Sequence, residues 1–162
     1  METSQRFSIR GRRAVIVGAG GGIGRATARA LGELGAELCL LDRAAPADLA
    51  GELTGAGASA IAMPCDASST GSLETALSSF GAADILVYLA AISPWDDWSS
   101  ADFEQRFDEV IAVNLRGAAM AARATACFRQ KFEVTQTARR LVETLQEFLP
   151  DASHRAKTPG VG

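Results

Sequence analysis

The segment AVIVGAGGGIG at residues 14–24 constrains the fold of this chain more than any other, because a short apolar run leads directly into five glycines within seven positions. Glycine loses more backbone freedom on folding than any other residue, so such a cluster needs a structural reason. From Gly22 the apolar spacing becomes helical, and Gly35 is predicted to end that helix. The face predicted to contact the core consists of Ile23, Ala26, Ala30, Leu31 and Leu34. The sequence thus predicts a strand, a glycine-rich turn and a helix in succession.

Further along the chain, apolar runs of strand length alternate with segments of helical periodicity. More strands are predicted at 37–41, 59–64 and 84–90, with helices at 46–53 and around 73–80. A longer helix is predicted from about Ala101 to about Gln130, with a stripe of Phe103, Phe107, Val110, Ile111, Asn114, Ala118 and Ala121. Strands and helices that alternate on short connections indicate parallel βαβ units. We therefore expect a doubly wound α/β domain.

The alternation stops after Gln130, which divides the chain into predicted parts at 1–130, 131–150 and 151–162. The middle part is predicted to be an amphipathic helix that ends at Pro150, and the last part a frayed tail. The apolar face of that helix consists of Ala138, Leu141, Val142, Leu145, Phe148 and Leu149. We expect it to cover the edge of the sheet, since an uncovered edge strand invites further pairing. Contact with a partner is the alternative.

Composition narrows the classes of partner. With 162 residues the chain suffices for one compact domain, and its net charge of −3 and pI near 5.2 argue against nucleic acid or an anionic membrane as partner. It has neither an apolar run of membrane-spanning length nor the apolar core of a signal peptide in its first twelve residues. Cys39, Cys65 and Cys127 are widely spaced, which is typical of reduced thiols, so we expect a cytoplasmic protein. The single histidine, His154, lies in the predicted tail, so we expect no metal site.

The glycine-rich turn has the context of a phosphate-binding loop. Backbone N–H groups converge where a strand leads into a helix N-terminus, and the helix dipole favours negative charge there. Gly18 is predicted to permit the tight turn, Gly22 the close approach of a pyrophosphate, and Gly24 close packing of the helix. Asp42 follows Gly24 by eighteen positions, close to the spacing of an acid that binds ribose hydroxyls. The alternative is a loop that only reverses the chain.

These residues resemble the short-chain dehydrogenase/reductase family. Residues 17–24, VGAGGGIG, are similar to the family's TGxxxGxG motif, with valine in place of threonine. Asp42 is similar to the acid that follows the family's second strand, and Asp66 to the aspartate after its third. Residues 112–117, AVNLRG, are similar to the stretch that carries a catalytic asparagine, here Asn114. The resemblance covers roughly residues 10–130.

The resemblance implies a Rossmann-like, doubly wound parallel sheet of about four strands in the order 3-2-1-4, truncated and extended by the C-terminal amphipathic helix. It implies a dinucleotide site formed by Gly18, Gly20, Gly22, Ile23, Gly24, Asp42, Arg43, Asp66, Ala67 and Ala90. Within that site Asp66 would bond the adenine amino group. Asp42 favours NAD over NADP because a carboxylate repels a 2′-phosphate, although the neighbouring Arg43 could accept one.

Two of the implied roles have structural alternatives. Asp66 could be a turn residue at the end of a strand. Asn114 could be a core amide whose hydrogen bonds are satisfied by neighbouring backbone, because a buried polar group needs a partner.

The sequence departs from the family pattern at two places. The family's NNAG motif is replaced by Tyr88-Leu89-Ala90-Ala91, which puts cofactor affinity and local packing in question. The Tyr-x-x-x-Lys pair, which supplies the acid and base for carbonyl reduction, does not occur, since the residue four after Tyr88 is Ile92.

We therefore expect an NAD(H)-binding protein, an oxidoreductase by family, that transfers no hydride between alcohols and ketones on its own. The alternatives are a non-catalytic nucleotide-binding or assembly module, a truncated product of a full-length dehydrogenase, or a second chain that supplies the missing pair. The resemblance and an exposed sheet edge favour a homo-oligomer.

Overall fold

The computed structural model describes residues 8–93 and 99–125 of the chain. Four strands form one parallel sheet in the order β3-β2-β1-β4: β1 (Arg13–Val17), β2 (Glu37–Asp42), β3 (Ser59–Pro64) and β4 (Ile85–Tyr88). This confirms the predicted strand order 3-2-1-4 and the doubly wound α/β class. The predicted helix at 131–150, the predicted tail at 151–162 and Cys127 lie outside the described residues.

Helices connect the strands as the sequence predicts. They are α1 (Gly22–Glu33), α2 (Ala47–Gly55), α3 (Thr70–Phe80), α4 (Phe103–Ile111) and α5 (Ala118–Ala124), with a π-helical segment (Ala112–Gly117) between the last two. Gly35 follows the end of α1 with a φ of 83°, the left-handed conformation that glycine adopts without strain. The helix predicted at 46–53 begins one residue later, with Pro46 as its N-cap. Among the described residues, none of the helices is long and apolar enough to cross a membrane.

The central strand β1 is buried on both faces, which explains its unbroken apolar run. Val15 and Val17 belong to a core cluster that includes residues of α3 and α5. Ala14 and Ile16 belong to the opposite cluster, together with residues of α1 and α2. All four are at most 1% exposed. A parallel strand covered by helices on both sides has no solvent-facing residues to alternate with.

The predicted buried face of α1 is wrong except at Leu31, which is partly buried against the core. The buried residues of that helix are Gly24, Ala28 and Gly32, whereas Ile23 is 72% and Leu34 59% exposed. A Cβ on Gly24 would overlap the carbonyl oxygen of Gly18, so the helix packs through its smallest residues. Apolar periodicity is read from large side chains, and it therefore selected the wrong face.

The long helix predicted from Ala101 is also more complex than expected. It is divided into α4, the π-helical segment and α5 (Ala118–Ala124), and the predicted end near Gln130 lies outside the described residues. Of the predicted stripe only Ala121 is fully buried, and Phe107 is 52% exposed. The π-helical segment rotates the later residues relative to α4, so a stripe drawn at a constant 3.6 residues per turn cannot hold across it.

The carboxyl ends of the strands meet at one edge of the sheet, where the candidate site lies. The chain passes from β1 to β2 and β3 on one side, and then crosses to β4 on the other side of β1. Ligands of open α/β sheets bind in the crevice at such a reversal of strand order. The glycine-rich turn after β1, Asp42 at the end of β2 and the loop after β4 all lie at this edge.

Candidate active site

The turn after β1 brings three parts of the backbone into close contact. Gly18 has a φ of 89°, and a Cβ at this position would lie 2.5 Å from the backbone nitrogen of Ala90. Both the backbone conformation and the space therefore require glycine. Gly24 is excluded from bearing a side chain by the carbonyl of Gly18 and the backbone of Ala19. The predicted turn and packing roles of Gly18 and Gly24 agree with this geometry.

Helix α1 begins at this turn, with Gly21 as its N-cap and no side chain hydrogen-bonded to its first turn. A Cβ on Gly22 would meet nothing within 4 Å, so the space beside it is open. Ile23, the next residue, is largely exposed at the same helix end. The first N–H groups of a helix have no partner within it and attract anions. The predicted contact of Gly22 and Ile23 with a pyrophosphate fits this open space and stays a prediction.

Asp42 joins the end of β2 to the glycine turn. Its Oδ2 accepts a hydrogen bond of 2.9 Å from the backbone N–H of Gly20, and its Oδ1 accepts one of 2.8 Å from the N–H of Arg43. A Cβ on Gly20 would lie 2.9 Å from that Oδ2, so a larger residue there would shift the carboxylate from its present position. An ionised carboxylate has about four acceptor positions, so Asp42 has capacity for two further donors.

Asp66 follows β3 and is anchored by one of its two carboxylate oxygens. Its Oδ1 accepts hydrogen bonds from the N–H of Ser68 at 2.9 Å and from the Ser68 hydroxyl at 2.7 Å. These two bonds lower the pKa of Asp66, and the nearby charge of Arg43 adds to the effect. The arrangement is the turn proposed as the structural alternative, yet it leaves Oδ2 without a hydrogen bond among the described residues.

Asn114 lies in the π-helical segment and is exposed rather than buried. Its Oδ1 accepts a 2.9 Å hydrogen bond from the N–H of Ile92, and its Nδ2 donates one of 2.9 Å to the carbonyl oxygen of Ile92. Both ends of the amide thus bind one residue of the loop after β4. Backbone groups satisfy the Asn114 amide, as the alternative of a core amide predicts, but the amide lies at the surface and not in the core. A catalytic role for Asn114 stays a prediction.

Sequence reasoning missed the contact between Tyr88 and the π-helical segment. The Tyr88 hydroxyl donates a hydrogen bond to the carbonyl oxygen of Val113, and a Cβ on Gly117 would overlap both that hydroxyl and the carbonyl oxygen of Ala67. Gly117 therefore makes room for the phenol that replaces the first asparagine of NNAG. The available signal was a glycine inside a predicted helix, which costs about 1 kcal/mol relative to alanine and often marks a close approach.

These elements enclose a cleft of about 400 Å³ at the carboxyl edge of the sheet. Six of the predicted cofactor-binding residues line it: Gly18, Asp42, Arg43, Asp66, Ala67 and Ala90. Gly20, Gly22, Ile23, Gly24 and Asn114 do not, although Gly21, Ile92 and Val113 beside them do. Ligand pockets in proteins have volumes of about 300–1,000 Å³, so the cleft is large enough for part of a dinucleotide.

The cleft wall carries no metal-binding cluster. Within residues 8–93 and 99–125, no three His, Cys, Asp or Glu side chains are close enough together to hold a metal ion. Cys65 lies at the cleft with its thiol reduced, and burial raises the pKa of that thiol. For hydrogen bonding the cleft wall offers the carboxylates of Asp42, Asp66 and Glu109, the guanidinium of Arg43, the hydroxyl of Ser68 and backbone amides.

Comparison with known proteins identifies relatives of this chain. The family model described as short chain dehydrogenase matches residues 12–137. A short chain dehydrogenase/reductase of Aspergillus oryzae is 32% identical over 129 residues, 71% of this chain and 47% of the relative. A hydroxyacyl-CoA dehydrogenase of Mycobacterium tuberculosis is 33% identical over 78% of this chain and 43% of its own length. A probable NADP-dependent mannitol dehydrogenase of Yarrowia lipolytica is 30% identical over 70% and 44%.

Solved structures show the same similarity. A short-chain dehydrogenase/reductase from Serratia marcescens superposes with a TM-score of 0.66 at 27% identity, covering 74% of this chain and 51% of that one. A putative short-chain alcohol dehydrogenase from Sinorhizobium meliloti gives 0.66 at 30% identity, covering 74% and 49%. The chain thus spans about half the length of the relatives that it matches.

Tyr88 is the single tyrosine of the sequence, so the tyrosinate absorbance of the chain reports on the environment of this one side chain. Burial, reinforced by the nearby Cys65 and Asp66, raises the pKa of Tyr88 to about 12. Because the pKa of Tyr88 is higher in the folded chain than in the unfolded chain, the neutral phenol contributes to the free energy of unfolding. That contribution is complete below about pH 10, the ordinary tyrosine value, and is lost as the pH rises toward 12. We predict that tyrosinate absorbance, followed after rapid mixing into alkaline buffer, titrates near 12 in the folded chain and near 10 in denaturant. The same midpoint in both would show that the phenol is not buried at Val113.

Proposed function

The chain belongs to the short chain dehydrogenase family, and on that premise we propose that its cleft binds the dinucleotide NAD(H). A nicotinamide group, when bound, supplies a carbon that accepts or gives up a hydride. The observation that carries the proposal is the carboxylate of Asp42, held 2.9 Å from the N–H of Gly20 in the wall of the cleft. An acid fixed at the glycine turn is the arrangement that binds an adenosine ribose.

The hydrogen bonds of Asp42 support NAD rather than NADP. Each of its oxygens accepts one backbone N–H, which leaves one further acceptor position on each for a ribose diol. A 2′-phosphate at this place would bring two negative groups together without a donor between them. Arg43 is exposed at the same edge and would reduce that repulsion, and one relative carries the name of an NADP-dependent enzyme. Asp42 acts through direct contact, so we expect its effect to exceed that of Arg43.

The remaining lining residues fit the other parts of the dinucleotide. Gly21 and the first turn of α1 would hold the pyrophosphate through backbone N–H groups. Asp66 would accept a hydrogen bond from the adenine amino group through its Oδ2, while Ser68 holds its Oδ1. Ala67 and Ala90 are small enough to leave the floor of the cleft open to flat rings.

Replacing Asp42 tests this assignment. Asp42→Asn keeps the shape but removes the charge, so we predict that the dissociation constant for NADH rises about tenfold and that the preference for NADH over NADPH largely disappears. Isothermal titration with both cofactors measures the two effects.

Glu37→Gln is the matched control, because Glu37 is the first residue of β2 and Asp42 the last. We expect it to leave both affinities within about twofold of the parent chain, since charges at the far end of the strand are screened. Equal loss in the two variants would contradict a ribose contact at Asp42, and so would absence of binding to the parent chain at millimolar NADH.

We further propose that these 162 residues transfer no hydride without an acid/base supplied from elsewhere. Tyr88 is bonded to a backbone carbonyl and has a pKa of about 12, far from the value a proton donor needs near neutral pH. The two lysines, Lys131 and Lys157, have no tyrosine four residues before them. Asn114, with both ends of its amide on Ile92, would orient that loop at the edge of the cleft.

The absence of turnover has a direct test. We predict that the chain binds NADH yet oxidises none above the blank rate when offered a panel of ketones and aldehydes, followed by NADH absorbance. Turnover by the parent chain that disappears in Asp42→Asn would depend on the chain's own cofactor site. Such turnover would contradict the proposal, because the acid/base would then have to lie within the chain.

A second candidate function, assembly with another copy of itself, rests on the exposed surface of α4 and of the π-helical segment that follows it. Helix α4 has no buried residue, and its Phe107 is 52% exposed. Leu115, in the π-helical segment that follows α4, is 64% exposed. In an antiparallel pair Asp108, in the second half of α4, would face Arg116 of the second copy. A two-fold axis makes such a contact self-complementary.

We also propose a cytoplasmic location, since Cys39 and Cys65 are both free thiols.

Self-association is measured by sedimentation equilibrium. We predict that the parent chain is a dimer and that Phe107→Glu shifts it to monomer, because a buried charge without a partner opposes association. Leu34→Glu is the control, since Leu34 is similarly exposed and follows the last residue of a different helix, α1. A monomeric parent chain, or equal loss in both variants, would contradict the assembly.

A further inference from the structure

The peptide groups on either side of Gly20 are held from two directions. The Gly20 N–H donates to Asp42, and the Gly20 carbonyl oxygen accepts a 3.1 Å hydrogen bond from Nε of Arg25. Arg25 is a residue of the first turns of α1 and does not line the cleft. It therefore reaches the glycine turn from behind.

Arg25 is itself fixed by the neighbouring helix α2. Its Nη1 lies 2.8 Å from Oδ2 of Asp48, and its Nη2 donates a 3.1 Å hydrogen bond to Oδ1. Two parallel bonds between a guanidinium and a carboxylate define the orientation of the guanidinium as well as its position. The hydrogen bond from Arg25 is the main cause that lowers the pKa of Asp48, so the pair stays charged at neutral pH. The resulting chain of contacts runs from Asp48 through Arg25 to Gly20.

The direction of this contact determines where the next amide points. The carbonyl of Gly20 and the N–H of Gly21 belong to one planar trans peptide, so they point in opposite directions. Because Arg25, which does not line the cleft, binds that carbonyl, we infer that the N–H of Gly21 points away from Arg25 and toward the cleft that Gly21 lines. A peptide between glycines has little intrinsic preference between two such orientations, since glycine adopts positive and negative φ about equally.

We propose that Arg25 and Asp48 are positioning residues that set the affinity of the cleft for a dinucleotide by fixing the Gly20–Gly21 peptide. This inference rests on the proposed NAD(H) site and adds two residues that do not contact the ligand. The pair acts by removing the alternative peptide orientation, in which a carbonyl oxygen would face the pyrophosphate. Preorganised donors bind more tightly because no ordering cost remains to be met on binding.

A matched pair of residues one turn further along the same two helices provides the control. Arg29 binds Glu52 through Nε at 2.6 Å and through Nη2 at 2.8 Å, so α1 and α2 are joined twice by the same chemistry. The hydrogen bonds of Arg29 lead to Glu52 and not to the glycine turn. Both pairs are at the surface, where such ion pairs contribute little to stability.

The test compares four single variants by NADH titration and thermal unfolding. We expect Arg25→Met to raise the dissociation constant for NADH about tenfold, and Asp48→Asn to raise it about threefold. Arg29→Met and Glu52→Gln should stay within about twofold of the parent chain, with shifts in melting temperature similar to those of the first two variants. In the double variant Arg25→Met/Asp48→Asn the loss should equal that of Arg25→Met alone, because Asp48 acts through Arg25.

A measurement without ligand separates this inference from the proposed function. Amide hydrogen exchange at Gly20, whose N–H is bonded to Asp42, should be faster in Arg25→Met and Asp48→Asn than in the parent chain, and unchanged in Arg29→Met. Equal exchange in Arg25→Met and Arg29→Met, or equal NADH affinity in these two variants, would overturn the positioning role. Failure of the parent chain to bind NADH, with exchange altered as expected, would instead overturn the dinucleotide site and leave the peptide clamp in place.

Discussion

The hydrogen bond between the N–H of Gly20 and the carboxylate of Asp42 determines how the rest of the cleft is arranged. It joins the turn after β1 to the end of β2, two strands whose register places Val17 opposite Leu41. The side chain of Asp42 thus reaches the turn from the position immediately after a paired residue. A side chain on Gly20 would displace the carboxylate, so the glycine and the acid depend on each other. From this contact follow both the path of the turn and the presence of a charged acceptor in the cleft wall.

Much of this arrangement could be predicted from the sequence, because the signals were local. The glycine turn, the parallel sheet and the acids after β2 and β3 each occupy a few consecutive residues, and strand order follows from the family resemblance. The buried face of α1 could not be predicted in the same way. Large apolar side chains indicated one face, while the buried residues Gly24, Ala28 and Gly32 lie on the other. Close backbone approach is a property of two elements together, which periodicity within one element does not contain.

The replacement of the NNAG motif at the end of β4 also involves a close approach of two elements that neither element shows by itself. Replacement of an asparagine by Tyr88 looked disruptive in isolation, yet the phenol fits above Gly117 and bonds the carbonyl of Val113. A released carbonyl is expected where a π-helical segment interrupts the regular hydrogen-bond ladder. Tyr88 and the glycine that accommodates it are 29 positions apart in the sequence, so the effect of the tyrosine could not be interpreted without Gly117. Asn114 is held in the same region by Ile92, which explains why its amide is satisfied although it lies at the surface.

A crystal structure of the chain grown with NADH would test the central claim, that this cleft holds a dinucleotide through Asp42. The account predicts both hydroxyls of the adenosine ribose within about 3 Å of the Asp42 carboxylate oxygens, the adenine amino group at Asp66 and the pyrophosphate at the N–H of Gly21. A cofactor bound elsewhere on the chain, or bound in the cleft with its ribose turned away from Asp42, would contradict it.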